Sequence, residues 1–249
     1  MNNFSYTRFC NVMRRDLAEH RRTYFAFFGI LIIAHTLIHF FGNLIGVAEG
    51  RFPVQLFLMM GTFALGSCFA LSLTYAHIDT KERRISNFML PASNFEKALS
   101  RHLLAFLGFG LIFLVSYLCS EVIQAAYVAM AHGVDAVAKQ SLLVNLFKIE
   151  IPTEHLHELL EMAQMVPWMF LGVHLFASSL FVLGSAYFRK KAFIKVMLIM
   201  FVLNPGMLLS ETILEQSLGI QIGYTLLIVA VSVGVLYLAY RRYCRLQVL

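Results

Sequence analysis

The chain has 249 residues, of which 59% are hydrophobic and only 14% are charged. A soluble globular domain is roughly 45–50% apolar, so this composition excludes an ordinary soluble protein and indicates a polytopic membrane protein. The formal net charge of +6 is spread over segments between long apolar runs. A nucleic-acid-binding protein would instead need a basic face on one folded domain, so no nucleic-acid partner is expected.

The first polar segment, residues 1–22, has the pattern of an amphipathic helix. Phe9, Met13 and Leu17 recur four residues apart, with Val12 beside them and arginines on the remaining arc. This arrangement predicts an interfacial helix that lies on the inner surface of the membrane, before the first span. A disordered basic tail is the alternative.

Six apolar stretches follow, and each is long enough to cross a hydrocarbon core about 30 Å thick as a helix. None alternates polar and apolar residues along its length, as the strands of a membrane barrel do. We therefore predict an all-α fold with a single transmembrane domain over residues 1–249. Its predicted spans are residues 23–47, 54–78, 103–128, 166–187, 192–214 and 218–240.

The basic residues are unevenly distributed between these spans. Seventeen of the twenty Lys and Arg residues lie in segments 1–22, 79–102, 188–195 and 241–249, which alternate along the chain and must share one side. The positive-inside rule assigns that side to the cytoplasm. We therefore predict that both termini are cytoplasmic, that the membrane is the inner membrane of a bacterium, and that the basic segments contact anionic membrane lipid.

The loop between predicted spans two and three is longer than a connection requires. Residues 81–101 read KERRISNFMLPASNFEKALSR, in which Ser93 and Glu96 have the spacing of a capping box. Upstream, apolar residues recur at helical spacing from Ile85 to Met89, and a proline follows. The pattern predicts a short amphipathic helix, a proline break, and a second helix that leads into span three.

This topology and this loop resemble those of the type-2 ATP-binding-cassette permeases. In that family the loop has an acidic and basic start, a short apolar run, Leu-Pro, a small polar residue, and then an acidic and a basic residue. The matching residues here are Lys81, Glu82, Arg83 and Arg84 at the start, Phe88, Met89 and Leu90 in the apolar run, Pro91, Ala92 and Ser93 at the break, and Glu96 and Lys97 at the exit. The resemblance implies that this element is a coupling helix, which docks in a cleft of a separate ATPase subunit.

The resemblance also implies the composition of the whole assembly. A second permease copy, identical or different, and two separate ATPase subunits are expected, while the exported substrate stays open. The chain has no G-x-x-x-x-G-K-[ST] phosphate loop, so ATP hydrolysis is expected in another polypeptide, and no catalytic residue, metal or cofactor is expected here. The chain departs from the family between spans five and six, where the re-entrant helices of many members are not visible.

Polar residues within the spans are candidates for a translocation path, because polar groups at membrane depth are costly and usually functional. They are His35, His39, Glu121, His174 and Glu211. One alternative is neutral imidazoles that hydrogen-bond across helices, and another is carboxylates that reach the headgroups. A different class of function is a membrane redox protein in which His35 and His174 ligate haem b. A stoichiometric b-type absorption spectrum, lost in His35→Ala, would identify that redox protein.

Overall fold

The computed structural model describes residues 4–44, 51–75, 78, 80–133, 137, 156–188, 191–203 and 218–246. Nearly all of these residues are helical, and no β-strand occurs among them. In chain order the helices are α1 Tyr6–Leu44, α2 Arg51–Ser72, α3 Lys81–Phe88, α4 Asn94–Leu103, α5 Phe109–His132, α6 Leu156–Tyr187, α7 Ala192–Leu203 and α8 Leu218–Arg245. A π-helical turn, Leu104–Gly108, joins α4 to α5. The predicted all-α class is therefore confirmed.

Several of these helices are suited to a membrane. Within the described part of the chain, three helical segments are long and apolar enough to cross one: Tyr6–Phe41, Asn94–His132 and Ile222–Arg245. Shorter apolar helices overlap predicted spans two, four and five: Phe57–Ser72, Gly172–Tyr187 and Ala192–Phe201. These helices indicate a membrane protein, whereas the number of six spans stays a prediction. Span five after residue 203 and its connection to span six lie outside the described residues.

The distribution of side chains along the helices agrees with an apolar surrounding. Large apolar side chains are exposed on α1, α5 and α8, among them Ile30, Ile33, Leu111, Val122 and Leu226. Polar side chains on these same helices are buried, among them His35, Ser116, Ser120, Thr225 and Ser232. An apolar exterior around hydrogen-bonded polar groups is the arrangement that lipid favours, because lipid offers no hydrogen bonds to a polar side chain.

The first helix differs from the prediction of a separate interfacial helix. α1 is continuous over 39 residues, which is about 58 Å at 1.5 Å per residue. No Pro or Gly occurs between Tyr6 and Phe28 to interrupt it. Phe9 and Val12 are 7% and 6% exposed, so the apolar side of the first turns packs on protein, with Phe9 against the ring of Phe4.

The chain divides into two compact units, of which the first comprises Met1–Arg14, Ser67–Phe106 and Pro152–Leu249, and the second comprises Arg15–Gly66 and Leu107–Ile151. The core of the first unit is formed by α2, α4, α6, α7 and α8 and includes the fully buried Phe181, Ala239 and Tyr243. In the second unit Met59 and Tyr117 are buried, and Ile38 and Phe113 pack against them.

A glycine permits the close approach of α6 and α7 in the first unit. A Cβ atom placed on Gly184 would overlap the side chain of Val196. Val196 is only 4% exposed, and its β-branched side chain has few alternative rotamers, so it has little room to move aside. Contacts through small residues are common between membrane helices, because they bring the two backbones together.

We predict that Gly184→Ala destabilises the protein, because the added methyl group separates α6 from α7. Overpacking of this kind costs about 1–3 kcal/mol. Gly234→Ala on α8 is the matched control, since nothing lies within 4 Å of a Cβ at Gly234, and alanine there should be neutral or stabilising by up to about 1 kcal/mol. Thermal unfolding in detergent measures both, and equal midpoints for the two variants would contradict this account of the α6–α7 contact.

Candidate functional site

The helix predicted between spans two and three is present as α3. Thr80 is its N-cap, with an extended backbone, and the Thr80 side chain accepts a hydrogen bond from the N–H of Arg83 at 3.3 Å. Glu82 lies in the first turn, where its charge complements the helix dipole. At the other end the N–H of Met89 donates to the carbonyl of Ile85 at 2.9 Å. α3 is therefore capped at its start by Thr80, and it ends before Pro91, as the proline break predicted.

Ser93 and Glu96 form the predicted capping box at the start of α4. Ser93 Oγ accepts a hydrogen bond from the N–H of Glu96 at 3.2 Å, and Glu96 Oε2 accepts one from the N–H of Ser93 at 2.8 Å. The capping box satisfies two backbone donors at the start of α4. It therefore fixes the backbone at the break between α3 and α4, which we call the fixed corner.

The carboxylate of Glu96 also holds the N-terminal segment of the chain. Its Oε1 atom accepts hydrogen bonds from the backbone N–H of Ser5 at 2.7 Å and from the guanidinium of Arg8 at 3.2 Å. The rings of Phe4 and Phe95 meet edge to face beside it, with centroids 6.4 Å apart. Glu96 itself is fully buried, so this carboxylate positions α4 against the start of α1.

The hydrogen-bond donors around Glu96 control its protonation. Glu96 precedes the predicted third span, which begins at residue 103. Burial alone would raise the pKa of Glu96, but the backbone N–H groups of Ser5 and Ser93 and the charge of Arg8 hold that pKa below the usual glutamate value. Glu96 is therefore ionised near neutral pH, as a carboxylate with several donors requires.

The inner face of α3 is tied to α4 and α8 by a buried polar group. Asn87 donates from Nδ2 to the hydroxyl of Tyr243 at 3.0 Å, and its Oδ1 accepts a short hydrogen bond from Arg101. The guanidinium of Arg101 also lies over the ring of Tyr243, 5.9 Å from the centroid. Asn87, Arg101 and Tyr243 are all buried. A residue from each of α3, α4 and α8 therefore meets in one hydrogen-bonded group.

The structure separates the predicted apolar run into two directions. Phe88 faces inward, where its ring packs on that of Tyr243 at 5.5 Å and its carbonyl accepts a hydrogen bond from Lys97 Nζ at 3.3 Å. Met89 is 79% exposed and Ile85, one helical turn before it, is 49% exposed. Phe88 is therefore a packing residue, whereas Ile85 and Met89 lie on the outer face of α3.

The outer face of α3 forms an open groove. Its lining residues are Glu82, Ile85, Ser86, Met89, Leu90 and Pro91. Arg83 is exposed near this groove, whereas Arg84 is half-buried and turned towards α6 and α8. The groove combines apolar side chains with a carboxylate at one end, which is the composition of a protein-docking surface with a polar rim.

The candidate residues for a translocation path are brought together only in part. In the second unit His35, His39 and Glu121 collect around Tyr117, whose ring lies 5.9 Å from each imidazole and whose hydroxyl donates to Glu121 Oε1 at 2.8 Å. Ser116 Oγ lies 3.4 Å from His35 Nδ1. All five side chains are buried. α1 and α5 therefore share a strip of buried polar side chains.

The remaining candidates are placed differently. His174 belongs to the first unit, where its Nε2 atom lies 3.2 Å from the hydroxyl of Ser67. His35 and His174 thus each have a serine partner within their own unit, as expected of imidazoles that bond to neighbouring helices. Glu211 lies outside the described residues. Within the described part of the chain, no group of three or more His, Cys, Asp or Glu side chains is placed to hold a metal ion.

Several residues of these sites were not identified from the sequence. They are Ser5 and Arg8 at Glu96, Asn87, Arg101 and Tyr243 behind α3, and Ser116 and Tyr117 beside the histidines. Tyr117 and Glu121 are one helical turn apart, so the sequence spacing could have predicted that Tyr117 contacts Glu121. Asn87 and Arg101 lie within residues 81–101 but belong to no local pattern such as a cap, and the contacts of Ser5, Arg8, Ser116 and Tyr243 join distant parts of the chain.

Comparisons of this chain with protein-family models, with curated proteins and with solved structures found no match. A function for the chain is therefore inferred from its own residues and from the arrangement of α3, α4 and α8.

We predict that Glu96→Gln releases the N-terminal segment from α4. A neutral amide loses the charge-assisted bonds to Ser5 and Arg8, so amide hydrogen exchange over residues 5–12 should rise roughly tenfold or more. Glu82→Gln, at an exposed carboxylate on α3, is the control and should leave exchange in that segment unchanged.

The same contact should depend on pH in wild-type protein. Because the pKa of Glu96 is lower in the folded state than in the unfolded state, its contribution is complete above the ordinary glutamate pKa and is lost as pH falls through the lowered folded value. Amide hydrogen exchange over residues 5–12 of the wild-type protein should therefore approach that of Glu96→Gln only at acidic pH. Equal exchange in wild type and Glu96→Gln at neutral pH would show that Glu96 does not hold the segment.

Proposed function

We propose that this chain is the membrane-spanning permease subunit of an ATP-binding-cassette exporter, in which α3 docks on a separate ATPase subunit. The single observation that best supports this proposal is the two-sided construction of α3. One side is held by buried polar contacts to α4 and α8, and the other presents an exposed groove around Ile85 and Met89.

The outer side has the chemistry of a docking surface. Two apolar anchors, Ile85 and Met89, are exposed one helical turn apart, and Glu82 lies on the same face with Arg83 beside it. Methionine suits such a surface, because its flexible thioether adapts to the shape of a partner. The charged residues at the rim would steer association with the partner while the apolar anchors supply most of the affinity.

The inner side supports transmission of movement. An exporter moves its substrate when ATP closes two partner domains, so force must pass through rigid elements joined to the spans. α3 has a capped start, a fixed corner at the capping box of Ser93, and a hydrogen bond from Asn87 to Tyr243 on α8. α4 then continues through the π-helical turn into α5. A displacement of α3 would therefore act on α4 and α8 together.

The remaining features of the proposal follow from the sequence. The basic segments orient the chain with both termini in the cytoplasm of a bacterium. A second permease copy and two ATPase subunits complete the exporter, since one chain of this size encloses little. The buried strip of His35, His39, Tyr117 and Glu121 is the part of the described chain that we assign to the translocation path.

We predict that the double variant Ile85→Ala, Met89→Ala folds and inserts normally but loses its ATPase partner. Truncating well-buried anchors at an interface typically costs about 2 kcal/mol or more, which is roughly thirtyfold in affinity. Co-purification of the ATPase subunit and stimulation of ATP turnover in lipid measure this loss. Met130→Ala is the matched control, because Met130 is 82% exposed on α5, well away from α3 in sequence.

Phe88→Ala separates docking from packing. It removes the ring contact to Tyr243, so we expect a lower unfolding midpoint in addition to weaker coupling. If the Ile85 and Met89 double variant recruits and stimulates the ATPase like wild type, α3 is not the docking element.

A further inference from the structure

A small cleft lies behind α3, on the opposite side from the docking groove. It is lined by Tyr75 after α2, by Arg84 of α3, by Ser185 and Tyr187 at the end of α6, and by Arg242 at the end of α8. All of these residues belong to the first unit. The cleft has a volume of only about 20 Å³, and the side chains of Arg84 and Arg242 that line it are half-buried. A ligand would therefore bind across its mouth.

Three hydrogen-bond donors at this cleft have no acceptor within the described part of the chain. They are the hydroxyl of Tyr75, Nε of Arg84 and Nε of Arg242, and each of these atoms is buried. Tyr75 is only 2% exposed. Ser185 already donates to the carbonyl of Val182 at 2.7 Å. A buried donor without an acceptor costs free energy, which an acceptor in the cleft would recover.

Within the described part of the chain, the two arginines also have no counter-charge at the cleft. Among the described residues, the ion pairs join Arg8 to Glu96 and Arg15 to Glu19, so neither includes Arg84 or Arg242. Arg242 lies over the ring of Tyr187, 5.0 Å from its centroid. This stacking orients the guanidinium but supplies neither a formal charge nor a hydrogen-bond acceptor. Two partly buried cations facing one cleft favour an anion.

We propose that Tyr75, Arg84 and Arg242 form a binding site for a phosphate group at the mouth of this cleft. A guanidinium presents parallel N–H donors that match two oxygens of one phosphate, and two guanidinium groups together neutralise its charge. The phosphate group belongs either to the headgroup of an anionic phospholipid or to a free phosphate ion. The site does not depend on docking of an ATPase, because its residues lie on the inner side of α3.

The test uses the full-length chain in a non-ionic detergent. Binding of phosphatidylglycerol is titrated by native mass spectrometry, and a second arm titrates inorganic phosphate by its effect on thermal unfolding. Arg84→Gln and Arg242→Gln each remove a charged donor, so we expect affinity for the ligand to fall about tenfold or more. Tyr75→Phe keeps the ring, which stacks on that of Tyr243 with centroids 5.0 Å apart, and loses only the hydroxyl, so it should weaken binding by a smaller factor.

Arg245→Gln is the matched control, because Arg245 lies in the same last turn of α8 but is exposed. It should change affinity by less than about twofold, since an exposed charge contributes little. Should an arginine-to-glutamine variant fail to fold, Arg242→Lys replaces it in the test. Lysine keeps the positive charge but lacks the paired N–H donors of the guanidinium.

The two arms distinguish the sources of the phosphate. Selective loss of phosphatidylglycerol binding, with no effect of inorganic phosphate on wild type, identifies a lipid headgroup. Stabilisation of wild type by inorganic phosphate, lost in the variants, identifies a free ion. If the variants at Arg84, Arg242 and Tyr75 bind both ligands like wild type, or if Arg245→Gln loses as much affinity, the site does not exist.

Discussion

The placement of α3 depends on a hydrogen bond from the buried guanidinium of Arg101 on α4 to Asn87 on α3. Arg101 is 6% exposed, donates to Asn87 and lies over the ring of Tyr243, while Asn87 donates to the Tyr243 hydroxyl at 3.0 Å. Moving α3 away would leave Arg101 without this acceptor, and leaving a buried donor unsatisfied costs about 1–3 kcal/mol, or more when the donor is charged. The helix that carries the docking groove is therefore fixed to the helices behind it.

This constraint bears on the other explanation of residues 81–101, a loop that rests on lipid headgroups. A helix lying on headgroups buries its apolar face in lipid and needs no buried polar contact to the protein. α3 instead directs Asn87 and Phe88 towards the protein and leaves Met89 exposed beside Glu82. The exposed face of α3 is thus short and mixed in polarity, and hydrogen bonds of Asn87 hold the opposite face to α4 and α8. This arrangement favours docking on a protein that moves α3.

The sequence predicted the features that depend on neighbours along the chain. The capping box of Ser93 and Glu96 and the end of α3 before Pro91 are local, and both are present. The direction of each residue in the run Phe88, Met89, Leu90 was not predictable, because consecutive helical residues point about 100° apart and only the tertiary contacts decide which one is buried. The contact of Asn87 to Tyr243 spans 156 residues, and that of Ser5 to Glu96 spans 91, so no spacing rule reveals either.

The claim that α3 docks on an ATPase is tested most directly by the neighbours of its exposed face in the living membrane. A photoreactive amino acid at position 89 reports what contacts that face, and the same amino acid at position 130, where Met130 is 82% exposed, is the control. The account predicts that position 89 cross-links to a polypeptide with a phosphate-binding loop and that position 130 does not. Adducts with lipid alone at position 89 would contradict it.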